Sequence, residues 1–239
     1  MKILLAPAET KIEGGEYPPI DLSLFPLQQP VIKEYEDFIL SSDIDTLSKW
    51  FGLKNINECE KYKRSITQLP TTKAIQRYTG VAFEALGYNS LPQMAQKYID
   101  DNVILFSNLF GVLRSDDFIP NYKFKQGAIL PTINNEKYYK EVLKKPLDEM
   151  LGDEVLDLRA TYYDKIYKLT APTITYKFLK NGKVVSHWAK HYRGELVKQI
   201  ALNNISNFAQ LMNHKFENLT LVEIQEKKNI RTLIVQIDN

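Results

Sequence analysis

Residues 103–107 read VILFS, and the apolar character continues through LFGVL at 109–113. Five residues is strand length, and the run shows no alternation of polar and apolar positions. A strand of that kind sits inside a sheet with both faces covered. Val155–Leu158 has the same character, and Lys2–Ala6, stopped by Pro7, reads as a first strand. The spacing predicts helices over Pro30–Leu40, Pro92–Asp100, Thr161–Leu169 and Ala189–Leu202. Thr71–Tyr78 and Gly80–Leu86 read as an interrupted helix pair, and Asn135–Leu151 as a long helix that Pro146 kinks or divides. Asn181-Gly182 lies between two β-rich runs, Ile174–Leu179 and Val184–Trp188, which is a strong hairpin signal. Leu219–Gln225 and Arg231–Ile237 make a second hairpin. Strands and helices alternate irregularly, so the expected class is α+β, or mixed α/β, rather than a clean βαβ series.

A chain of 239 residues with 44% hydrophobic content can bury one large core or two small ones. There are no internal repeats or long flexible linkers, so residues 1–239 are expected to form one compact unit. The Gly- and Pro-rich segment EGGEYPPIDLSLFPLQQP reads as an extended loop. No run of about 18 apolar residues marks a membrane span, and MKILLAPAETK lacks the length and basic flank of a signal peptide. The single cysteine, Cys59, excludes an internal disulfide framework. A reducing, cytoplasmic setting is expected, with Cys59 as a structural residue.

The formal charge is +2, which does not by itself announce a nucleic-acid binder. Local charge is another matter. Residues 121–145 hold six lysines against Glu136 and Glu141, and residues 183–198 hold Lys183, Lys190, Arg193 and Lys198 against Glu195. Residues 43–64, DIDTLSKWFGLKNINECEKYKR, read as two short helices joined by Gly52-Leu53-Lys54-Asn55. Such a hairpin can be plain packing, or it can point backbone N–H groups at a phosphate. Lys49, Lys54, Lys61, Lys63 and Arg64 supply charge nearby.

Standard catalytic signatures are missing. There is no phosphate-binding P-loop, no G-x-G-x-x-G and no G-x-S-x-G. His187 and His191 lie four apart without a surrounding H-E-x-x-H, so no metal site is expected, and nothing calls for a cofactor. Four stretches remain where a strand meets a turn or helix. They are Ala6–Lys11, Thr79–Phe83, Gly111–Gly127 and Ser186–Gly194. Strand ends are where ligand clefts form. Arg114, Lys190 and Arg193 would bring positive charge there, with Asp117 gripping Arg114 in a bidentate pair.

Taken together, these stretches resemble the YaaA family of bacterial peroxide-stress proteins. The resemblance rests on a strand ending in PAxT, on TGV before a helix, and on SxLFGVLRxxDxxxxYxxxxG. DLRATYYDKIY and WAKHYRG follow in order. It implies an unusual single-domain α/β arrangement, the cantaloupe fold, with a helix-hairpin-helix at about 43–64. It implies protection against hydrogen peroxide by limiting the free iron that damages DNA and protein. It also implies DNA binding through the hairpin (Lys49, Gly52, Lys54, Asn55, Lys61, Lys63, Arg64) and a positive cleft. No catalytic reaction follows from it. Three departures stand out: Glu9 replaces the lysine of a usual PAKT, Arg114-Ser115-Asp116-Asp117 replaces R-P-L-D, and Lys123 replaces an arginine after Tyr122.

The combined expectation is a cleft lined by Thr10, Lys11, Arg114, Asp117, Tyr122, Lys123, Lys190 and Arg193. It would bind nucleic-acid phosphate or a nucleotide-like small anion. An alternative is an enzyme acting on a nucleotide or nucleic acid. Arg114, Lys190 and Arg193 would hold the anion, and Asp117 or Asp116 would be the base. Cations beside such a carboxylate should lower its pKa, which weakens it as a base. Direct iron binding lacks a suitable cluster of His, Cys, Asp and Glu, so any effect on iron is expected to be indirect.

Overall fold

The computed structural model describes residues 1–238. Eleven strands are formed: β1 Lys2–Leu5, β2 Tyr17–Pro19, β3 Pro70–Lys73, β4 Val103–Ser107, β5 Gly111–Arg114, β6 Phe118–Ile119, β7 Val155–Leu158, β8 Thr173–Lys180, β9 Lys183–Val184, β10 Leu219–Lys227 and β11 Ile230–Ile237. The α-helical segments are α1 Gln29–Ser41, α2 Ile44–Phe51, α3 Ile56–Tyr62, α4 Ala74–Arg77, α5 Val81–Leu86, α6 Gln93–Asn102, α7 Asn135–Val142, α8 Lys144–Leu151, α9 His187–Leu202 and α10 Phe208–Asn213. The fold is mixed α/β.

An eight-stranded sheet runs in the order β10-β11-β8-β7-β1-β4-β5, with β9 paired to β8. Neighbours among β11, β8, β7, β1 and β4 are parallel. β5 turns back antiparallel on β4, and β10 on β11. The apolar runs behave as their composition requires. All five residues of β4 are buried, as are Ile3, Leu4 and Leu5 of β1. A second sheet, β2-β3-β6, lies apart from this path.

Several local signals act as expected. Asn181 and Gly182 both take positive φ (51° and 72°), which a two-residue hairpin loop of this hand needs. Pro146 falls in the first turn of α8, where a missing N–H costs little, and the helical stretch divides at Leu143. Other segments differ from expectation. Thr71–Tyr78 is not a helix throughout: Pro70–Lys73 is a strand paired with β2 and β6, and only Ala74–Arg77 is α-helical. The β-branched Thr71 and Thr72 suit that pleated position. Thr161–Leu169 reduces to a 3-10 turn at Thr161–Lys165. The second strand of the Asn-Gly hairpin has only two residues, and α9 already begins at His187.

Within residues 43–64 two short helices, α2 and α3, are joined by a tight turn. The Asp43 side chain caps α2 by accepting the Thr46 N–H at 2.7 Å, and Gly52 closes it at φ 69°. Asn55 caps α3. Leu47, Phe51 and Cys59 are buried beneath it, so Cys59 faces the core rather than solvent.

Candidate functional site

Because β1, β4, β7 and β8 run parallel, their C-terminal ends share one rim, and the segments that leave them meet there. After β1 the chain passes through Pro7, Ala8 and Glu9 to Lys11, which forms an isolated bridge with Tyr78. The Thr79 N–H donates to the Thr10 carbonyl at 3.0 Å. Gly80 has φ 96°, and a Cβ there would sit 3.3 Å from Thr10 Oγ1. Glycine at this position thus lets α5 start against the β1 loop.

Beneath this loop lies a chain of hydroxyls. Tyr122 OH is 2.6 Å from Tyr78 OH and 2.8 Å from Ser107 Oγ. Ser107 Oγ in turn accepts the N–H groups of Leu109 and Phe110. Burial pushes the Tyr78 phenol up to about 12 and the Tyr122 phenol well above its usual range, so both are neutral hydroxyls. Lys11 lies over their rings, with Nζ 4.2 Å from the Tyr122 centroid and 5.2 Å from that of Tyr78. Burial, followed by the charge of Lys123, brings Lys11 down to about 7. Glu9 pairs with Lys123 instead, at 3.3 Å. A cavity of about 30 Å³ is bounded by Glu9, Lys11, Asn108, Tyr122, Gln126 and Tyr163.

At the end of β7, Arg159 is buried in a bidentate pair with Asp157 (2.8 and 3.0 Å) and lies 4.3 Å over the Phe106 ring. Arg193, on α9, is half-buried and has no hydrogen-bond or ion-pair partner among the described residues. Burial lowers its pKa, and Asp157 opposes that effect. Lys190 is exposed one turn earlier. Gly194 makes the approach of α9 to α5 possible, since a Cβ there would lie 1.9 Å from the Ala82 carbonyl oxygen.

Thr10, Lys11, Tyr122, Lys123, Lys190 and Arg193 therefore belong to segments at this rim. Arg114 and Asp117 do not. β5 runs antiparallel to β4, so its last residue, Arg114, is level with Ile104 near the start of β4. That places it at the opposite end of the sheet. The expected bidentate grip is also replaced. The guanidinium meets Asp116 at 3.0 Å, while Asp117 accepts the backbone N–H of Arg114 at 2.7 Å. The expected lowering of the Asp117 pKa is reversed: burial raises it to about 6, and the neighbouring Asp116 adds to the effect. The enzyme constellation of Arg114, Lys190 and Arg193 with an Asp117 or Asp116 base is therefore not assembled.

On the hairpin, Lys49, Lys54, Lys61, Lys63 and Arg64 are all exposed. Lys63 donates to the Ser42 carbonyl at 2.6 Å, and Lys61 is 3.7 Å from Glu13. The Asn55 side chain is occupied in capping the Asn57 N–H. Lys125, from the loop after Tyr122, lies across the hairpin turn: a Cβ on Gly52 would be 3.1 Å from its Cδ. Lys125, Tyr78, Ser107, Asn108 and Arg159 escape selection from the sequence. Of these, Arg159 carried a signal, in DLRATYY. Among the described residues, no group of three His, Cys, Asp or Glu is placed to hold a metal, and no helix is long and apolar enough to cross a membrane. The His187 side chain, half of the considered His187–His191 pair, lies outside the described residues.

A mixed α/β protein with a lysine- and arginine-lined rim at its parallel strand ends is the class defined here. The family model for the peroxide stress protein YaaA matches residues 1–225, and the chain belongs to that family of stress-response proteins. It is 44% identical to the Uncharacterized protein Cj0984 of Campylobacter jejuni subsp. jejuni, over 99% of each chain. It is 33% identical to a UPF0246 protein of Corynebacterium glutamicum (93% of this chain, 100% of the relative). A UPF0246 protein of Lactobacillus helveticus is 27% identical over 91% of this chain and 90% of its own.

Proposed function

We propose that the protein binds the backbone of duplex DNA in the cytoplasm, through the hairpin and the basic rim, and so limits iron-dependent peroxide damage. The observation that carries this reading is the seat of Lys125 on Gly52. It joins the hairpin turn to the loop that delivers Lys123 to the rim. Lys54, in that turn, and Lys125, seated on it, are both exposed and belong to one basic surface. Phosphate binding needs such a local surface and not a high net charge. Contacts of this kind carry no sequence information, so binding is expected to be non-specific. On this reading any effect on iron is indirect and follows from protection of the bound DNA.

Fluorescence titration of a labelled duplex at several salt concentrations tests the reading. The wild type should bind at low salt and weaken steeply as salt rises. Lys49→Glu combined with Lys54→Glu should weaken binding at least tenfold at low salt and flatten the salt dependence. A wild-type protein with no duplex affinity at low salt would overturn the proposal.

A further inference from the structure

We propose that Lys11 is an amine nucleophile that forms an imine with an aldehyde admitted to the cavity at the strand-end rim. A half-buried lysine held for structure alone finds a carboxylate or a full set of hydrogen bonds. Lys11 has neither. The nearest carboxylate in sequence, Glu9, is taken by Lys123 at 3.3 Å. Lys11 Nζ has only two long contacts, to the Ala8 and Glu9 carbonyls at 3.4 and 3.3 Å. It lies against the cavity and over two phenol rings.

A second, independent feature lies in the wall of the same space. Asn108 is 5% exposed and bounds the cavity, and its buried Oδ1 has no hydrogen-bond partner. Imine formation passes through a carbinolamine, whose new hydroxyl needs an acceptor. Asn108 Oδ1 is an acceptor lacking a donor. The cavity, about 30 Å³, has room for a group about the size of a water molecule. It accommodates the reacting carbonyl, while the rest of the substrate stays outside it, on the side of the exposed lining residue Gln126.

The charge state of the amine agrees with this role. Burial, Lys123 and Arg77 disfavour the ammonium form, Glu9 favours it, and the balance lies at about 7. Tyr78 and Tyr122 stay neutral. At neutral pH a large share of Lys11 is the free amine, whereas an exposed lysine is almost wholly protonated. In the reaction the Nζ lone pair attacks the carbonyl carbon and a C–N bond forms. The carbonyl oxygen then leaves as water with both amine protons. Hydrolysis reverses the step, and no oxidant or reductant is required.

The aldehyde has two chemical sources. One is a small free aldehyde. The other is the ring-opened sugar of an abasic site in DNA, which would rest on the DNA-binding reading; the first stands without it. The test uses the full chain and sodium cyanoborohydride to reduce any imine to a stable amine. One arm contains glycolaldehyde, and the other a duplex with a single abasic site. Peptide mass mapping of the wild type locates the adducts, so the result does not depend on a variant that folds. Lys11 should be modified about tenfold or more faster than Lys54 and Lys125 at pH 7. Its rate should fall about tenfold per pH unit well below pH 7. Lys11→Arg, which keeps a cation but lacks the free amine, should abolish that adduct.

Modification of Lys11 by glycolaldehyde alone assigns the site to small aldehydes. Cross-linking of Lys11 to the abasic duplex, and not to an intact one, assigns it to damaged DNA. Lys11 reacting no faster than exposed lysines in both arms would overturn the proposal. Salt-dependent duplex binding that persisted alongside that result would leave the DNA-binding reading intact.

Discussion

Arg77 is completely buried, and no carboxylate answers it. Its guanidinium donates instead to the carbonyls of Ile12, Pro70 and Ile119. One side chain thereby ties the loop after β1 to β3 and β6, and burial holds its pKa down to about 10. Arg77→Met should cost about 3 kcal/mol, because it strands the buried Ile119 carbonyl and removes the bonds to the part-buried Ile12 and Pro70 carbonyls. Urea denaturation measures this; a loss below about 1 kcal/mol would mean that water replaces the guanidinium. Asp117 gives a pH signature of opposite origin. Its folded-state pKa of about 6 lies above the ordinary carboxylate value, so the native state binds the extra proton. Stability from this group is present at low pH and is lost as pH rises from about 4 to about 6. Asp117→Asn keeps an acceptor for the Arg114 N–H and removes that loss. It should match the wild type below about pH 4 and exceed it by up to about 2 kcal/mol above pH 6. Denaturation curves across that range decide it. None of this was legible from residue type. Arg77 is one residue inside the expected helix Thr71–Tyr78, and Asp117 reads as a partner for Arg114, until the chain is folded.

At the scale of elements, the motifs TGVA and HYRG meet each other across α5 and α9. Gly194 is an ordinary helical residue by conformation, and its need arises from Ala82 on the neighbouring helix. Gly194→Ala must push the helices apart, and Arg193 moves with α9. A fall in melting temperature of about 10 °C or more is expected, corresponding to about 3 kcal/mol, and a change under about 2 °C would contradict it. Elements whose signal is local were read correctly. These include the Asn181-Gly182 turn, the division at Pro146, the Asp43 and Gly52 boundaries of α2, and the buried runs of β4 and β7. Elements whose signal is a pairing were not. β3 is four residues long and becomes a strand because β2 and β6 flank it. β9 is only two residues because α9 takes over the sequence expected to continue it.

At the scale of the whole molecule, the charge of +2 is close to balance, and what matters is where the cations lie. Three exposed lysines of the hairpin and the adjoining loop, Lys49, Lys54 and Lys125, would neutralise about three phosphates at most, since Lys123 is paired with Glu9. The logarithm of the duplex binding constant should fall with the logarithm of salt concentration with a slope of about −2 to −3. A slope near zero in the same titration would show that these lysines do not meet phosphate. The sequence alone determined that the core is a sheet with buried strands, that helices are interspersed irregularly, and that two short helices lie within 43–64. It also carried the family membership, because those features rest on residues close together in the chain. Only the tertiary structure decided which strand ends share a rim. The antiparallel return of β5 sends Arg114 to the far end of the sheet, while the parallel run of β1, β4, β7 and β8 gathers Lys11, Asn108, Arg159 and Arg193. Strand direction is set by pairing between segments about a hundred residues apart, and no local pattern of residues encodes it.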